Sequence, residues 1–366
     1  MKELKILYIE DDKENREGLI ELLNDEEING MLVKIEGVAD FDIDMSRISQ
    51  YHIVILDLFK GVAGNQGTES GKDVLDRIRE RIFVPVIFFS GNTKSVKLLR
   101  SQIIGVATKG DGGYDELKSE IARLSAHNLP FLKEKVHNHI EQEFQKYFWD
   151  VIQEQNDKFK PDDEDYSLGY MLLRNFGNSL SKDNICKILG DGLVKEAQVH
   201  PMEFYIYPIC TNQEYENGEI IKGKDENSIY IILTPSCDMI ERYKKGVPVG
   251  RKAKKILLAK ALLLTDKEEA REYLGNQNKE NRNKLLKLIQ SSNDRYFFLP
   301  GTPFIEHRVV DFQDKIMVDY ESLKTDFIRI AKLDSPFAQA MSTSFIRYYN
   351  RIGFPDIDAE YILTHI

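Results

Sequence analysis

The stretch HIVILDLFKG, residues 52–61, decides the reading of the chain. Ile53, Val54, Ile55 and Leu56 form a β-branched-rich apolar block, which predicts a strand buried on both faces, as in a parallel sheet covered by helices. Asp57 then stands at the carboxyl end of that strand. In open α/β sheets the carboxyl ends are where ligands and chemistry collect, so an acid there is a candidate for function. A lone Asp is also an ordinary way to open a loop, so its companions have to decide.

Outward from this strand the pattern repeats. LKILYIE, MLVKIEGV, VPVIFFS and GVATK read as further strands; NREGLIELLND, GKDVLDRIRERI, SVKLLRSQI and YDELKSEIARLSA carry apolar residues at helical spacing. Parallel neighbours need crossover connections, so five strands alternating with helices predict a flavodoxin-like, doubly wound α/β domain over residues 1–125. In that layout strand ends collect Glu10, Asp11 and Asp12 from the first strand, Asp57 from the third, Ser90 from the fourth and Lys109 from the fifth.

Clustered carboxylates repel one another, and a hard divalent cation such as Mg²⁺ is the usual relief. A carboxylate left free can attack phosphorus while the metal and the Lys share the charge of the transferred oxygens and the Ser hydroxyl donates to one of them. The product is an acyl phosphate on an aspartate.

Over about residues 4–125 this set resembles the receiver domain of two-component response regulators. The resemblance implies that Glu10 and Asp11 are the acidic pair and that Asp57 accepts phosphate from a sensor histidine kinase. It implies that Mg²⁺ is held by Glu10, Asp11, Asp57 and the backbone carbonyl of Phe59, and that Ser90 and Lys109 contact the phosphoryl group. The sequence departs from the family in three places. Lys109-Gly110 replaces the usual Lys-Pro, Val106 replaces an aromatic, and the loop FKGVAGNQGTESG after Asp57 is long and glycine-rich, either a flap or an insertion.

Composition sets the outer bounds. The chain has 366 residues, 42% of them hydrophobic, and a formal net charge of -10, which opposes broad binding to nucleic acid or anionic membranes while leaving room for a local basic patch. Three cysteines without CxxC spacing suit a reducing cytoplasm. No segment approaches the length of a membrane span.

Residues 126–197 read as a helical connector, with a break at Pro161 and the acidic run DDED, and residues 198–366 as an α+β domain with a small antiparallel barrel or sheet. No DNA-binding motif, Walker loop or kinase box is evident. In TPSCDM, residues 234–239, Cys237 and Asp238 are either a metal or nucleophile site, with His200 or His307 as partner, or a buried cysteine. RYKKGVPVGRKAKKILLAK, residues 242–260, crowds basic residues that suit nucleic acid, an acidic partner, the acidic edge of the first domain, or plain solvation. The expectation is therefore a response regulator acting by contact with a protein partner or as a homodimer. The alternatives are a phosphate-sink receiver in a bacterial, possibly antiphage, circuit, or a receiver-regulated enzyme or nucleic-acid effector.

Overall fold

The computed structural model describes residues 2–61, 69–126, 129–154, 165–190, 199–224, 228–292, 294–350 and 357–365. Most of the glycine-rich loop after Asp57, and the break at Pro161 with most of its acidic run, lie outside these residues. Two compact units divide the chain, Met1–Lys195 and Glu196–Ile366.

In the first unit, Ile53–Leu56 forms the buried strand β4. Its companions are β1 (Lys2–Ile9), β2 (Glu27–Ile28), β3 (Met31–Val38), β5 (Val86–Ser90) and β6 (Ile104–Thr108), in the sheet order β2-β3-β1-β4-β5-β6. All pairings are parallel except that of the two-residue β2 with β3. Without that edge piece the order is the flavodoxin-like one, with its reversal beside β1.

The helices are α1 (Lys13–Leu23), α2 (Met45–Ile48), α3 (Ser70–Arg81) and α4 (Gly113–Ser125). Leu19, Leu23, Leu117, Ile121 and Leu124 pack α1 and α4 on one face, against Ile6, Tyr8, Ile53 and Ile87. Met45, Ile48, Val74, Leu75 and Ile78 pack α2 and α3 on the other, against Leu7, Val54, Leu56 and Phe88. Each such buried aliphatic contributes about 1.5–3 kcal/mol.

SVKLLRSQI, expected as a helix, is corrected to turns with a single 3-10 turn at Lys97–Leu99. The bonds run Val96 N–H to Thr93 O and Leu99 N–H to Val96 O, a spacing of three that buries Thr93 and Val96 while Leu98 is 98% exposed. The apolar residues thus follow a three-residue turn repeat and not the 3.6-residue period of an α-helix.

After α4 come α5 (Leu129–Lys146), continued by a π-helical stretch Tyr147–Gln153, then α6 (Asp165–Ser179) and α7 (Lys182–Leu189). Phe131 of α5 is buried in the α1/α4 layer, with the His52 ring 4.6 Å away and Lys2 Nζ 3.3 Å above its own ring centroid. His139 of α5 shares a 2.9 Å hydrogen bond with Ser179, tying α5 to the end of α6.

The second unit is built on a seven-stranded antiparallel sheet. Its strands are β7 (Tyr205–Ile206), β8 (Glu219–Gly223), β9 (Ile229–Ile232), β12 (Lys255–Leu263), β13 (Tyr296–Leu299), β14 (Arg308–Asp319) and β15 (Phe327–Leu333), in the order β13-β14-β12-β9-β8-β15-β7. A separate hairpin joins β10 (Arg242–Lys244) to β11 (Val247–Gly250). The expected barrel or sheet is an open, curled sheet: its end strands share no ladder, yet the Tyr205 hydroxyl of β7 donates to Pro300 O just past β13 at 2.8 Å. Met341 and Tyr348 of α12 (Phe337–Tyr349) cover one face, and Tyr320 and Leu323 of α11 (Tyr320–Asp326) cover the other. The charged stretch 265–290, between β12 and β13, forms α9 (Glu268–Gly275) and α10 (Lys279–Ile289).

Inside this sheet Glu219 of β8 is fully buried and meets Arg329 of β15 through two hydrogen bonds of 2.7 and 2.8 Å. Burial pushes the Glu219 carboxyl above its ordinary range against the pull of Arg329. The same guanidinium donates to the carbonyls of Thr211, Gln213 and Glu214, clamping the loop before β8. Removing one partner of a buried pair leaves an uncompensated charge. Arg329→Met is expected to cost about 3–5 kcal/mol, and Glu219→Leu added to it should restore most of the loss. Pulsed hydrogen exchange of β8 and β15 across a urea series measures both.

Candidate functional site

Backbone bonds beyond the strand ends fix where the polar side chains begin. Glu10 N–H donates to Val38 O at 2.9 Å, Asp57 N–H to Ile9 O at 2.9 Å and Lys109 N–H to Ser90 O at 3.0 Å. Glu10 is 1% exposed and Asp57 8%, far more buried than carboxylates usually are, so both need donors or cations.

Lys109 provides the cation. Its Nζ bonds Glu10 Oε2 and lies 3.5 Å from Asp57 Oδ1. Two further donors hold Glu10: the Tyr8 hydroxyl reaches Oε2 at 2.6 Å, and Asp12 N–H reaches Oε1 at 3.1 Å. Burial, with the charge of Glu10 added, pushes the Tyr8 phenol far up, so it stays a donor. Arg16 of α1 donates to the carbonyls of Glu10 at 2.7 Å and Asp11 at 3.2 Å, which fixes the acidic turn. Asp12 caps α1, accepting from Asn15 N–H at 2.8 Å.

Asp11 turns the other way and accepts from Gly61 N–H at 2.8 Å through Oδ2. Glu10, Asp11 and Asp57 each offer an oxygen within 4.8 Å of the others, the one such trio of His, Cys, Asp or Glu among the described residues. An all-oxygen, acidic donor set of this kind fits a hard cation such as Mg²⁺. Phe59 lies two residues beyond Asp57, its ring packed on the α3 face of the sheet. Ser90 ends β5 and pairs with Thr108, the last residue of β6; Ser90 is buried, and the Thr108 hydroxyl is 2.9 Å from that of Thr93.

Two glycines shape the cradle. A Cβ at Gly71, in the first turn of α3, would lie 2.3 Å from the Asp57 carbonyl oxygen, so the helix packs on the backbone of the acid itself. Gly110 has φ +132°, a value a proline ring near -65° cannot reach, so the departure from Lys-Pro follows the shape of this turn. Val106 is buried in the layer that also holds Phe88.

The second-unit candidates are used differently. Cys237 is exposed in the short helix α8 (Ser236–Met239), and Asp238 pairs with Lys252 at 3.1 Å. His200 caps a 3-10 turn, accepting from Met202 N–H through Nδ1, and His307 accepts from Gly301 N–H at 2.8 Å through its own Nδ1. The polar residues flanking Cys237 brace the fold: Thr234 accepts from Leu257 N–H, and Ser236 from Asn217 N–H. No metal-binding trio forms there among the described residues.

Tyr8 and Arg16 escape a motif-based reading. Tyr8 had a signal: on a strand, residues two apart share a face, so a tyrosine two before Glu10 points the same way.

No family model matches the chain. No curated protein matches it either. Among solved structures, NtrX from Brucella abortus in complex with ATP is 18% identical over 39% of this chain and 34% of that one, with a TM-score of 0.27. A two-component transcriptional regulator AraC from Clostridium phytofermentans is 23% identical over 34% of this chain and 95% of that one, with a TM-score of 0.24. The chain thus spans 34% of the NtrX chain's length, and the functional reading rests on the geometry of the site.

Tyr8→Phe deletes one donor to a buried carboxylate without changing shape. It is expected to destabilise the first unit by about 1.5–3 kcal/mol, the usual worth of a hydrogen bond to a charged group. Urea unfolding followed at Trp149 measures this.

Proposed function

We propose that the chain is a response regulator that takes a phosphoryl group on Asp57 from a histidine kinase. The observation that carries this reading is the placement of Lys109 between Glu10 and Asp57, beside three carboxylates that converge within 4.8 Å. An Asp57 carboxylate oxygen attacks phosphorus; the bond from phosphorus to the kinase histidine nitrogen breaks, and the electron pair leaves with that nitrogen. Lys109 and the Ser90 hydroxyl then hold the new phosphoryl oxygens, and Tyr8 and Asp12 N–H keep Glu10 in place as Lys109 turns toward them. Asp11, Asp57 and the Phe59 carbonyl, with Glu10 behind them, would hold Mg²⁺, which neutralises developing phosphoryl charge when bound.

The expected results are labelling by acetyl phosphate and Mg²⁺ at Asp57, located by mass spectrometry, and its loss in Asp57→Asn. Undiminished labelling of that variant would falsify the assignment. Asp11→Asn should weaken Mg²⁺ binding by about tenfold or more, through loss of a charged hard ligand. Hydrogen exchange of free and beryllofluoride-bound protein separates two modes of action. Changes reaching the second unit indicate output by contact, whereas changes confined to the strand ends indicate a phosphate sink.

A further inference from the structure

The basic stretch from 242 resolves into two chemically different parts. Residues 242–255 hold seven Lys or Arg and no acid, in a chain of net charge -10. Arg251 is committed inward: it donates to Met239 O at 2.8 Å, pairs with Glu214 at 2.7 Å and Glu241 at 2.6 Å, and lies 4.1 Å over the Tyr320 ring. Lys252 pairs with Asp238. Among the described residues, Arg242, Lys244, Lys245, Lys254 and Lys255 have no carboxylate partner, and three of them sit on the β10–β11 hairpin.

The hairpin is well formed and bare. Lys244 pairs with Val247 across a two-residue turn in which Lys245 (φ 51°) and Gly246 (φ 78°) are both left-handed, the geometry that matches strand twist. Every residue from 242 to 249 is exposed, on both faces of the ribbon, including Tyr243 at 67%, Val247 at 62% and Val249 at 58%. An uncovered two-stranded ribbon is only marginally stable by itself, and here Arg251 anchors its root.

We propose that this hairpin is a binding element for double-stranded DNA, entering the major groove. Its unpaired cations call for a polyanion, and its two bare faces fit a partner that surrounds it. The major groove, about 12 Å wide, admits a two-stranded ribbon. Val247 and Val249 offer apolar contact to thymine methyls, and Arg242, Lys244 and Lys245 reach phosphates or guanine edges. The inference concerns the second unit alone and does not depend on phosphorylation of Asp57.

The test is fluorescence anisotropy of the full chain with a labelled mixed-sequence duplex, across a salt series. Each phosphate contact adds about 0.9 to the slope of log affinity against log salt, so Lys244→Gln with Lys245→Gln should make the slope shallower by about 2. Val247→Ser with Val249→Ser should lower affinity several-fold at unchanged slope. An unchanged slope in the lysine variant overturns the proposal, as does binding to the single strand or to polyglutamate as tight as to the duplex. The polyglutamate result would assign the hairpin to an acidic protein partner.

Discussion

A carboxylate with 1% exposure has to be satisfied at both oxygens, and the first unit is arranged so that Glu10 is. Tyr8, two residues back on the same strand, supplies one donor; the turn into α1 supplies the Asp12 N–H; β6 delivers Lys109 from across the sheet. The first two contacts are local, each spanning two residues, whereas Lys109 comes from far along the chain. That third contact exists because parallel strands put all their carboxyl ends on one edge, and the crossover helices that force this parallelism also bury it. The strand order and the electrostatics of the site are therefore one constraint.

The second unit rests on a comparable pair with a different outcome. Glu219 and Arg329 are sealed between β8 and β15, and every contact Arg329 makes goes to protein groups of the same sheet or of the loop it clamps. The pair specifies which strands lie together and leaves no side chain free for chemistry. Lys109, by contrast, stays within 3.5 Å of a second carboxylate at a partly open edge. Two buried ion pairs of similar composition thus differ in what else lies within reach.

The first unit was legible because its strands are uniformly apolar and its polar residues fall where strands end. The errors there come from period: Thr93, Val96 and Leu99 repeat every three residues, and only the hydrogen bonds show that this is a chain of turns. In the second unit the misses are strands whose charges look exposed. FIRIAKL, which is β15, carries Arg329 in its middle, and KILLAKALL, which is β12, follows a run of lysines. Both are mostly apolar, and what a sequence cannot show is that Arg329 has Glu219 opposite it. HPMEFYIYPI has the apolar and aromatic content of a strand but is one only over Tyr205–Ile206, because Pro201 and the His200/Glu203 capping box start a 3-10 turn before it. Cys237 stood out by its motif; in the structure Thr234 and Ser236 beside it brace the fold, and Cys237 itself is exposed.

The departure from Lys-Pro has a physical reading. A proline after Lys109 would hold φ near -65°, whereas Gly110 at +132° turns the chain back so that Gly113 can begin α4 against β6. A Cβ at Gly113 would stand 2.3 Å from Thr108 O, as one at Gly71 would from Asp57 O. Helices therefore close onto the strand ends from both sides through glycine contacts, and backbone packing does the positioning that a rigid proline turn does elsewhere. On the proposed reading Lys109 is left as the adjustable cation between two carboxylates. Glu10 keeps two neutral donors when the ammonium moves toward a phosphoryl group on Asp57, so the move does not strand a buried charge.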